Sequence, residues 1–371
     1  MCSNPRILMQ QIRFKRLISL NVETDGGKMK KIILDGIFLV VLIGLLFSCN
    51  MDFGTRTRAP GKVISGALWT VTRGAGVYCM AKSGNTLYFG GQFGYVGPSA
   101  TYGISVDRNT GRIPAGYMNL DYSPNYHLFS VIPDGTGGWF IGGGFTRLGS
   151  TQHAWLARIH ADGTPYDWYP DLDAPVWSMV LSGNTLYVGG EFYTINGQTR
   201  NRIAAIDVPS GNPTDWNPNA NDLVEEMVLS GNILYVGGMF TSIGGQTRNM
   251  LASLSITANT NNATAWNPSA NGRVKSLLLN GTTMYAAGEF TSIGGASRTG
   301  IAALDTAKNT ANATLWNPAS NGAVETIAMA GTMLYAGGSY TSIGGATRNG
   351  FAELDTTVNA NMATAWDPLG I

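Results

Sequence analysis

The chain repeats one pattern of about 50 residues along most of its length. A tyrosine marks each of the four clearest copies, at steps of 48, 50 and 50 residues: Tyr187, Tyr235, Tyr285 and Tyr335. Two more divergent copies place Tyr88 and Phe140 at the same point. A fixed period in this range is typical of repeat architectures, in which each unit buries its apolar face against the next.

A tryptophan follows the same period near the end of each copy. The series steps by 48, 50, 50 and 50 residues: Trp168, Trp216, Trp266, Trp316 and Trp366. Trp69 lies eight residues before Val77, as Trp168 lies eight residues before Val176. Trp69 therefore marks one more strand of the same type on the N-terminal side.

Each copy reads as four short strands. In one copy these are VWSMVLS from Val176, then TLYVGG, RIAAID and the segment around Trp216, with a Ser-Gly-Asn turn after the first. Segments of four to seven residues suit strands and are too short for helices. Four strands per period predict an all-β chain that forms a single β-propeller of four-stranded blades.

Six units are predicted, starting at Val77, Leu128, Val176, Val224, Val274 and Val324. Six blades is the preferred count, but the strand at Trp69 is one more than six blades require. Either that strand or the one at Trp366 closes the ring. Seven blades with one incomplete is the alternative.

The N-terminal region reads as an export signal. Lys30 and Lys31 follow Met29, and residues 36–47 carry no charge, as in the apolar part of a signal peptide. The sequence Leu-Phe-Ser-Cys that ends at Cys49 resembles the lipobox of bacterial lipoproteins, and this resemblance implies that Cys49 carries the lipid. The expected organisation is an upstream extension from a mis-set start (1–28), a signal peptide (29–48), a lipidated tether (49–65) and the propeller (66–371).

Composition narrows the range of partners. The net charge is +1, and no basic run occurs, which argues against a nucleic-acid partner. Three cysteines do not make a disulfide framework, and no histidine has a neighbour at metal-ligand spacing. We expect no metal and no cofactor. The 49 glycines fall largely in the repeated Gly-Gly pairs and turns.

The recurring motif GGxFTSIGGxxRNxxAxLD, followed by W(N/D)P, resembles the β-propeller repeats of unknown function found in bacterial surface and secreted proteins. These are sometimes called delta-sixty repeats. The resemblance covers about residues 69–368. It implies the propeller fold and almost nothing about chemistry, because a fold is a scaffold for many functions.

One arginine per copy belongs to this motif: Arg200, Arg248, Arg298 and Arg348. Equivalent residues repeated in every blade usually hold neighbouring blades together, and we expect these arginines to do so. With the tryptophans, including Trp69, they are the structural residues that define the repeat.

Specificity is better sought where the copies differ. The second residue of the first strand changes from copy to copy: Tyr78, Phe129, Trp177, Glu225, Lys275 and Glu325. Three aromatic residues are followed by three charged ones, an arc suited to stacking a sugar or holding a peptide loop. Strand alternation predicts that the next residue, Glu226 in the fourth copy, lies on the opposite face.

These observations predict a monomeric lipoprotein of the bacterial cell envelope, anchored to the outer membrane on its surface or periplasmic side. Its propeller would be a binding or scaffold module for protein or glycan. No catalytic constellation is identified, so we do not expect an enzyme. One alternative is a glycan-active hydrolase or lyase that uses Glu226 with Glu225 or Glu325 as acid and base. Another is a structural envelope protein without a specific ligand.

Overall fold

The computed structural model describes residues 127–148, 153–160 and 164–367 in full, and the backbone of short strands at 24–25, 28–29, 76–83, 86–92 and 103–107. The predicted leader around residues 30–48, the lipidation site Cys49, the tether and Trp69 lie outside the described residues. The side chain of Tyr78 does as well.

The described residues form strands and turns, and none of their segments is a helix that could span a membrane. The strands of the N-terminal half are β1 (Thr24–Asp25), β2 (Lys28–Met29), β3 (Gly76–Ser83), β4 (Thr86–Gln92), β5 (Gly103–Asp107), β6 (Leu128–Pro133), β7 (Trp139–Gly143), β8 (Leu156–Ile159), β9 (Val176–Ser182), β10 (Thr185–Gly190), β11 (Thr194–Ile195), β12 (Gln198–Thr199) and β13 (Ile203–Asp207).

The C-terminal half repeats the pattern of β9 to β13 three times. Its strands are β14 (Val224–Ser230), β15 (Ile233–Gly238), β16 (Ser242–Ile243), β17 (Gln246–Thr247), β18 (Leu251–Ser255), β19 (Val274–Asn280), β20 (Thr283–Gly288), β21 (Ser292–Ile293), β22 (Ala296–Ser297), β23 (Ile301–Asp305), β24 (Ala323–Ala330), β25 (Met333–Ser339), β26 (Ser342–Ile343), β27 (Ala346–Thr347) and β28 (Phe351–Asp355).

Within the described residues, the strand pairing gives six repeat units. Each contains a three-stranded antiparallel sheet in which the second strand lies in the middle. We number them unit 1 (β3–β5), unit 2 (β6–β8), unit 3 (β9–β13), unit 4 (β14–β18), unit 5 (β19–β23) and unit 6 (β24–β28). The first strands begin within one residue of the predicted starts. The chain is therefore all-β and built of small antiparallel sheets, as a β-propeller is.

The predicted fourth strand is reduced to a single bridge in the described units, which corrects the expectation of four full strands. In unit 3 the segment before Trp216 meets the third strand only at Ile206 and Pro213. The N–H of Thr214 still donates to the Ala205 carbonyl, at 2.8 Å. The N–H of Trp216 then donates to the Thr214 hydroxyl, at 3.3 Å, so the chain turns away from the sheet.

The apolar core lies between units. One buried cluster joins Ile301 and Trp316 of unit 5 to Leu334 and Leu354 of unit 6, and similar clusters join units 2 to 3, 3 to 4 and 4 to 5. The first strands of neighbouring units also pack on one another. A sheet of three short strands has too little apolar surface to be stable alone, so each unit depends on its neighbour.

The repeated tryptophans connect these units. Each packs edge-to-face on the aromatic residue of its own second strand, as Trp216 does on Tyr187 with ring centroids 5.1 Å apart. Each indole N–H then donates to a backbone carbonyl of the next unit. These bonds are Trp168 to Val208 at 2.7 Å, Trp216 to Ser255 at 3.0 Å, Trp266 to Asp305 at 3.2 Å and Trp316 to Asp355 at 3.1 Å.

The repeated arginines act within one unit, which corrects the expectation that they hold neighbouring units together. In unit 4 the Arg248 guanidinium donates to the carbonyls of Thr247, at 2.8 Å, and Thr264, at 2.6 Å. In their own units, Arg200, Arg298 and Arg348 donate to the two equivalent carbonyls. The arginine thus fixes the segment that leads to the tryptophan, and the tryptophan contacts the next unit.

A β-bulge interrupts the first strand of all six units. In unit 4, Val224 lies opposite Gly238 and Glu226 opposite Gly237, so Glu225 is an extra residue. The strand bends there and crosses its partner closely. A Cβ on Gly238 would lie 2.1 Å from the Leu223 carbonyl oxygen, and that oxygen already accepts a hydrogen bond from the Met239 N–H at 2.9 Å.

We expect Gly238→Ala to lower the free energy of unfolding by about 2–3 kcal/mol, because the new methyl group overlaps a backbone carbonyl held in place. Urea unfolding measures the change. The matched control is Gly231→Ala. A Cβ on Gly231 would meet nothing within 4 Å, but the backbone of this residue has a φ of 55°. That strain alone costs about 1 kcal/mol, so an equal loss in the two variants would contradict the proposed overlap.

Candidate functional site

The bulges carry residues that differ in chemical type between units. The extra residues are Phe129, Trp177, Glu225, Lys275 and Glu325, together with Tyr78 in unit 1. We call Phe129, Trp177, Glu225, Lys275 and Glu325 the first-strand arc. A bulge frees a side chain from the regular alternation of a strand, and bulges are frequent beside functional sites.

The two aromatic members of the arc stack on each other across units 2 and 3. The rings of Phe129 and Trp177 have centroids 4.3 Å apart and planes inclined by 11°. The indole nitrogen of Trp177 is buried and has no hydrogen-bond partner among the described residues. It differs in this from the four tryptophans that connect units, each of which donates to a carbonyl.

The first charged member, Glu225, forms a two-point ion pair with Arg273 of the next unit. The distances are 2.6 Å from Nε to Oε2 and 3.0 Å from Nη2 to Oε1. Burial raises the pKa of Glu225, against the opposing effect of Arg273. Arg273, which directly precedes Val274, was not among the site residues predicted from the sequence. It could have been recognised as a charged residue at a position where units 3, 4 and 6 have the uncharged residues Pro175, Leu223 and Ala323.

The second charged pair of the arc is joined across units 5 and 6. Lys275 Nζ lies 2.6 Å from Glu325 Oε2 and 2.5 Å from Glu289 Oε1. Burial opposes the charge of Lys275, but the bonds to Glu289 and Glu325 outweigh it and raise the pKa of the lysine. The bond to Lys275 lowers the pKa of Glu289. Glu289 was also missed, because it follows the second strand and not the first.

Glu226 lies beside Glu225 in the same bulge. Glu226 is opposite Gly237 and Glu225 is the extra residue, so the regular alternation behind the predicted opposite faces is interrupted at this point. Burial raises the pKa of Glu226 to about 8, and the charge of Glu225 adds to this, against a hydrogen bond with the backbone of Met227. The raised pKa favours the protonated form of Glu226 near neutral pH.

The polar part of the site is preorganised and close to neutral. Arg273 and Lys275 stand against the carboxylates of Glu225, Glu289 and Glu325, which leaves a net charge of −1 while Glu226 is protonated. Acceptors and donors alternate along it, each held by a neighbour. Because these side chains are already ordered, binding of a polar group loses little side-chain conformational entropy.

The remaining titratable residues do not add to this site. His153 is buried, and its ring packs edge-to-face on Tyr169 with centroids 5.1 Å apart. Burial lowers the pKa of His153. In the part of the chain that the structure describes, no group of three or more His, Cys, Asp or Glu side chains is arranged to hold a metal ion.

One family model agrees with the fold. A β-propeller domain of unknown function, DUF5122, matches residues 184–204, in unit 3. No curated protein matches the chain. Among solved structures, the chain is similar to the computationally designed Ika8 protein, with 13% identity, a TM-score of 0.42 and coverage of 72% of this chain and 70% of that one. It is also similar to an extracellular domain described as part of a hybrid two-component system of B. thetaiotaomicron, with 14% identity, a TM-score of 0.44 and coverage of 82% and 35%.

The pKa of Glu226 predicts a pH dependence of stability. Between the usual value of 4.5 and about 8, the folded chain holds the proton and the unfolded chain releases it. We expect Glu226 to lower the free energy of unfolding by about 1 kcal/mol per pH unit as pH rises through this range, and no further above it. Urea unfolding at pH 5, 6, 7 and 8 measures this slope.

Glu226→Gln should flatten the slope, because the amide does not titrate. Glu191→Gln is the matched control and should keep the wild-type slope, since Glu226 is unchanged in it. Equal slopes in wild type and Glu226→Gln would show that Glu226 has the same pKa in the folded and the unfolded chain.

Proposed function

We propose that this chain is a cell-envelope lipoprotein whose β-propeller binds a protein or glycan through the first-strand arc. The supporting observation is the contrast between the arc and the rest of each unit. The cores, the tryptophan bonds and the close glycine contacts repeat from unit to unit. The bulge residues change from aromatic to acidic to basic, as expected where binding and not packing sets the residue.

The proposal includes a closed ring of six blades, with seven as the alternative. Unit 6 supports closure, because Tyr335 and Phe351 on its outer face are 6% and 1% exposed. Trp366 packs on both residues, with ring centroids 5.7 Å and 4.9 Å away. In units 3 to 5 the equivalent face is covered by the next unit. Coverage of this last face by unit 1 would complete the ring.

The anchor and the location rest on the sequence. The lipobox-like segment that ends at Cys49 supports lipidation, and residues 49–65 would tether the propeller to the outer membrane. An acylated N-terminus attaches a monomeric domain firmly, since each buried methylene contributes about 0.8 kcal/mol. The domain then lies at the cell surface or in the periplasm.

The hydrolase alternative depends on Glu226, whose raised pKa suits a general acid. It also needs a second carboxylate as base or nucleophile. The two candidates are already bonded to cations, Glu225 to Arg273 and Glu325 to Lys275. These bonds favour binding over hydrolysis, and we propose no enzymatic activity.

Ring closure predicts that the Trp366 indole donates to unit 1. By strand register its acceptor is the carbonyl of Asp107, the equivalent of Asp305. Trp366→Phe and Trp266→Phe each keep a ring and remove one N–H, so both should lower the free energy of unfolding by about 1 kcal/mol in urea. An open array predicts no loss for Trp366→Phe. Leu315→Ala, at a side chain that is 80% exposed, is the control and should change little.

Binding through the arc predicts that its aromatic pair is required. The purified full chain, immobilised through a C-terminal tag, should retain a protein or glycan from envelope extracts, and the retained component is then identified and titrated. Phe129→Ala with Trp177→Ala should weaken that binding at least about tenfold, since buried aromatic anchors dominate recognition. Leu315→Ala is the control. Unchanged affinity in a folded double variant would reject the arc as the site.

A further inference from the structure

The environment of Trp177 differs from that of the tryptophans that connect units. Its ring is parallel to Phe129, and its indole nitrogen is enclosed without a partner in the described part of the chain. A buried N–H that makes no hydrogen bond is unfavourable. The four connecting tryptophans avoid this cost by donating to the next unit. Other buried side-chain atoms of the described residues, such as Nε of Arg248, also lack a partner, so the stacking of Trp177 on Phe129 is the observation that carries the argument.

The other members of the first-strand arc indicate which ligand Trp177 would contact. The arc runs in chain order, and each observed contact between its members joins neighbouring units: Phe129 with Trp177, and Lys275 with Glu325. The first strand of unit 4 packs on that of unit 3, so Glu225 is the next member of the arc after Trp177. The aromatic pair is therefore followed along the arc by a carboxylate that Arg273 holds at two points.

The polar groups favour hydroxyl groups as their partners. Along the site, acceptors on Glu225, Glu289 and Glu325 lie beside donors on Arg273 and Lys275. A hydroxyl both donates and accepts, so a row of hydroxyls satisfies such a surface at every position. The net charge of −1 argues against a polyanionic ligand, which these carboxylates would repel.

We infer that the first-strand arc binds an uncharged glycan, with a sugar ring packed against the Phe129–Trp177 pair and its hydroxyls bonded to Glu225 and Arg273. This inference rests on the proposed binding function and adds the class of ligand. The apolar C–H face of a sugar ring lies flat on an aromatic ring, and the fixed ion pairs select the positions of the hydroxyls. The aromatic pair supplies affinity and the ion pairs supply specificity.

The test uses the detergent-solubilised full chain and hexasaccharides of β-1,4-glucan, β-1,3-glucan, xylan and mannan, with oligogalacturonate as the acidic comparison. Titration calorimetry measures the affinities. We expect at least one neutral oligosaccharide to bind and oligogalacturonate to bind at least about tenfold more weakly, which corresponds to about 1.4 kcal/mol.

Variants then locate the site. Trp177→Ala should weaken binding of the neutral sugar at least about tenfold, whereas Trp177→Phe, which keeps a stacking ring, should stay within about threefold. Tyr193→Ala is the matched control, because Tyr193 is an aromatic side chain 52% exposed in the same unit but outside the arc. Thermal unfolding of each variant verifies the fold.

The outcomes separate this inference from the proposed function. Failure of every neutral oligosaccharide to bind, stronger binding of oligogalacturonate, or unchanged affinity in folded Trp177→Ala overturns the glycan inference. If the arc variants instead lose an envelope protein while no sugar binds, the binding function stands and its ligand is a protein. If no ligand of any kind depends on the arc, both proposals fail.

Discussion

The packing of each three-stranded sheet on the next is the constraint on which the rest of the structure depends. In units 3 to 6 of the described residues, most of the buried apolar side chains belong to clusters that join two neighbouring units. The repeated tryptophan links each unit to the one that follows it in the chain. Its ring packs on an aromatic residue of its own unit, and its indole N–H donates to a backbone carbonyl of the next. Stability in such an array comes from interfaces between neighbours, so each interface limits how far a unit may change.

The β-bulge resolves the conflict between a repeated core and a variable surface. It inserts one residue that has no partner in the ladder, so that residue can change without altering the pairing on either side. The close crossing that results demands glycine at the end of the second strand, as at Gly238. The residues at the bulges differ in size and charge from unit to unit, while Val224 and its equivalents Val176, Val274 and Val324 stay buried and aliphatic.

Periodicity predicted the units well and the contacts between them poorly. The starts of the first strands, the turns and the buried tryptophans follow from spacing and from residue types that suit strands. The regular fourth strand was wrong because Thr214 bonds to the backbone of Trp216 and ends the pairing. Arg200 and its equivalents bond within their units because the carbonyls they reach are close in sequence. Arg273 and Glu289 were missed because their partners, Glu225 and Lys275, sit on other strands.

The sequence by itself determined the all-β class, the period and the residues that differ among the units, since all of these follow from local spacing and composition. Only the tertiary structure decided which charged residues pair, which aromatic rings stack and that Glu225 is an extra residue in a bulge. The physical reason is that a bulge changes register by one residue, and a one-residue change reverses the face that alternation predicts. Ion pairs between units likewise join residues 48 or 50 positions apart, a distance over which strand patterning carries no information about contact.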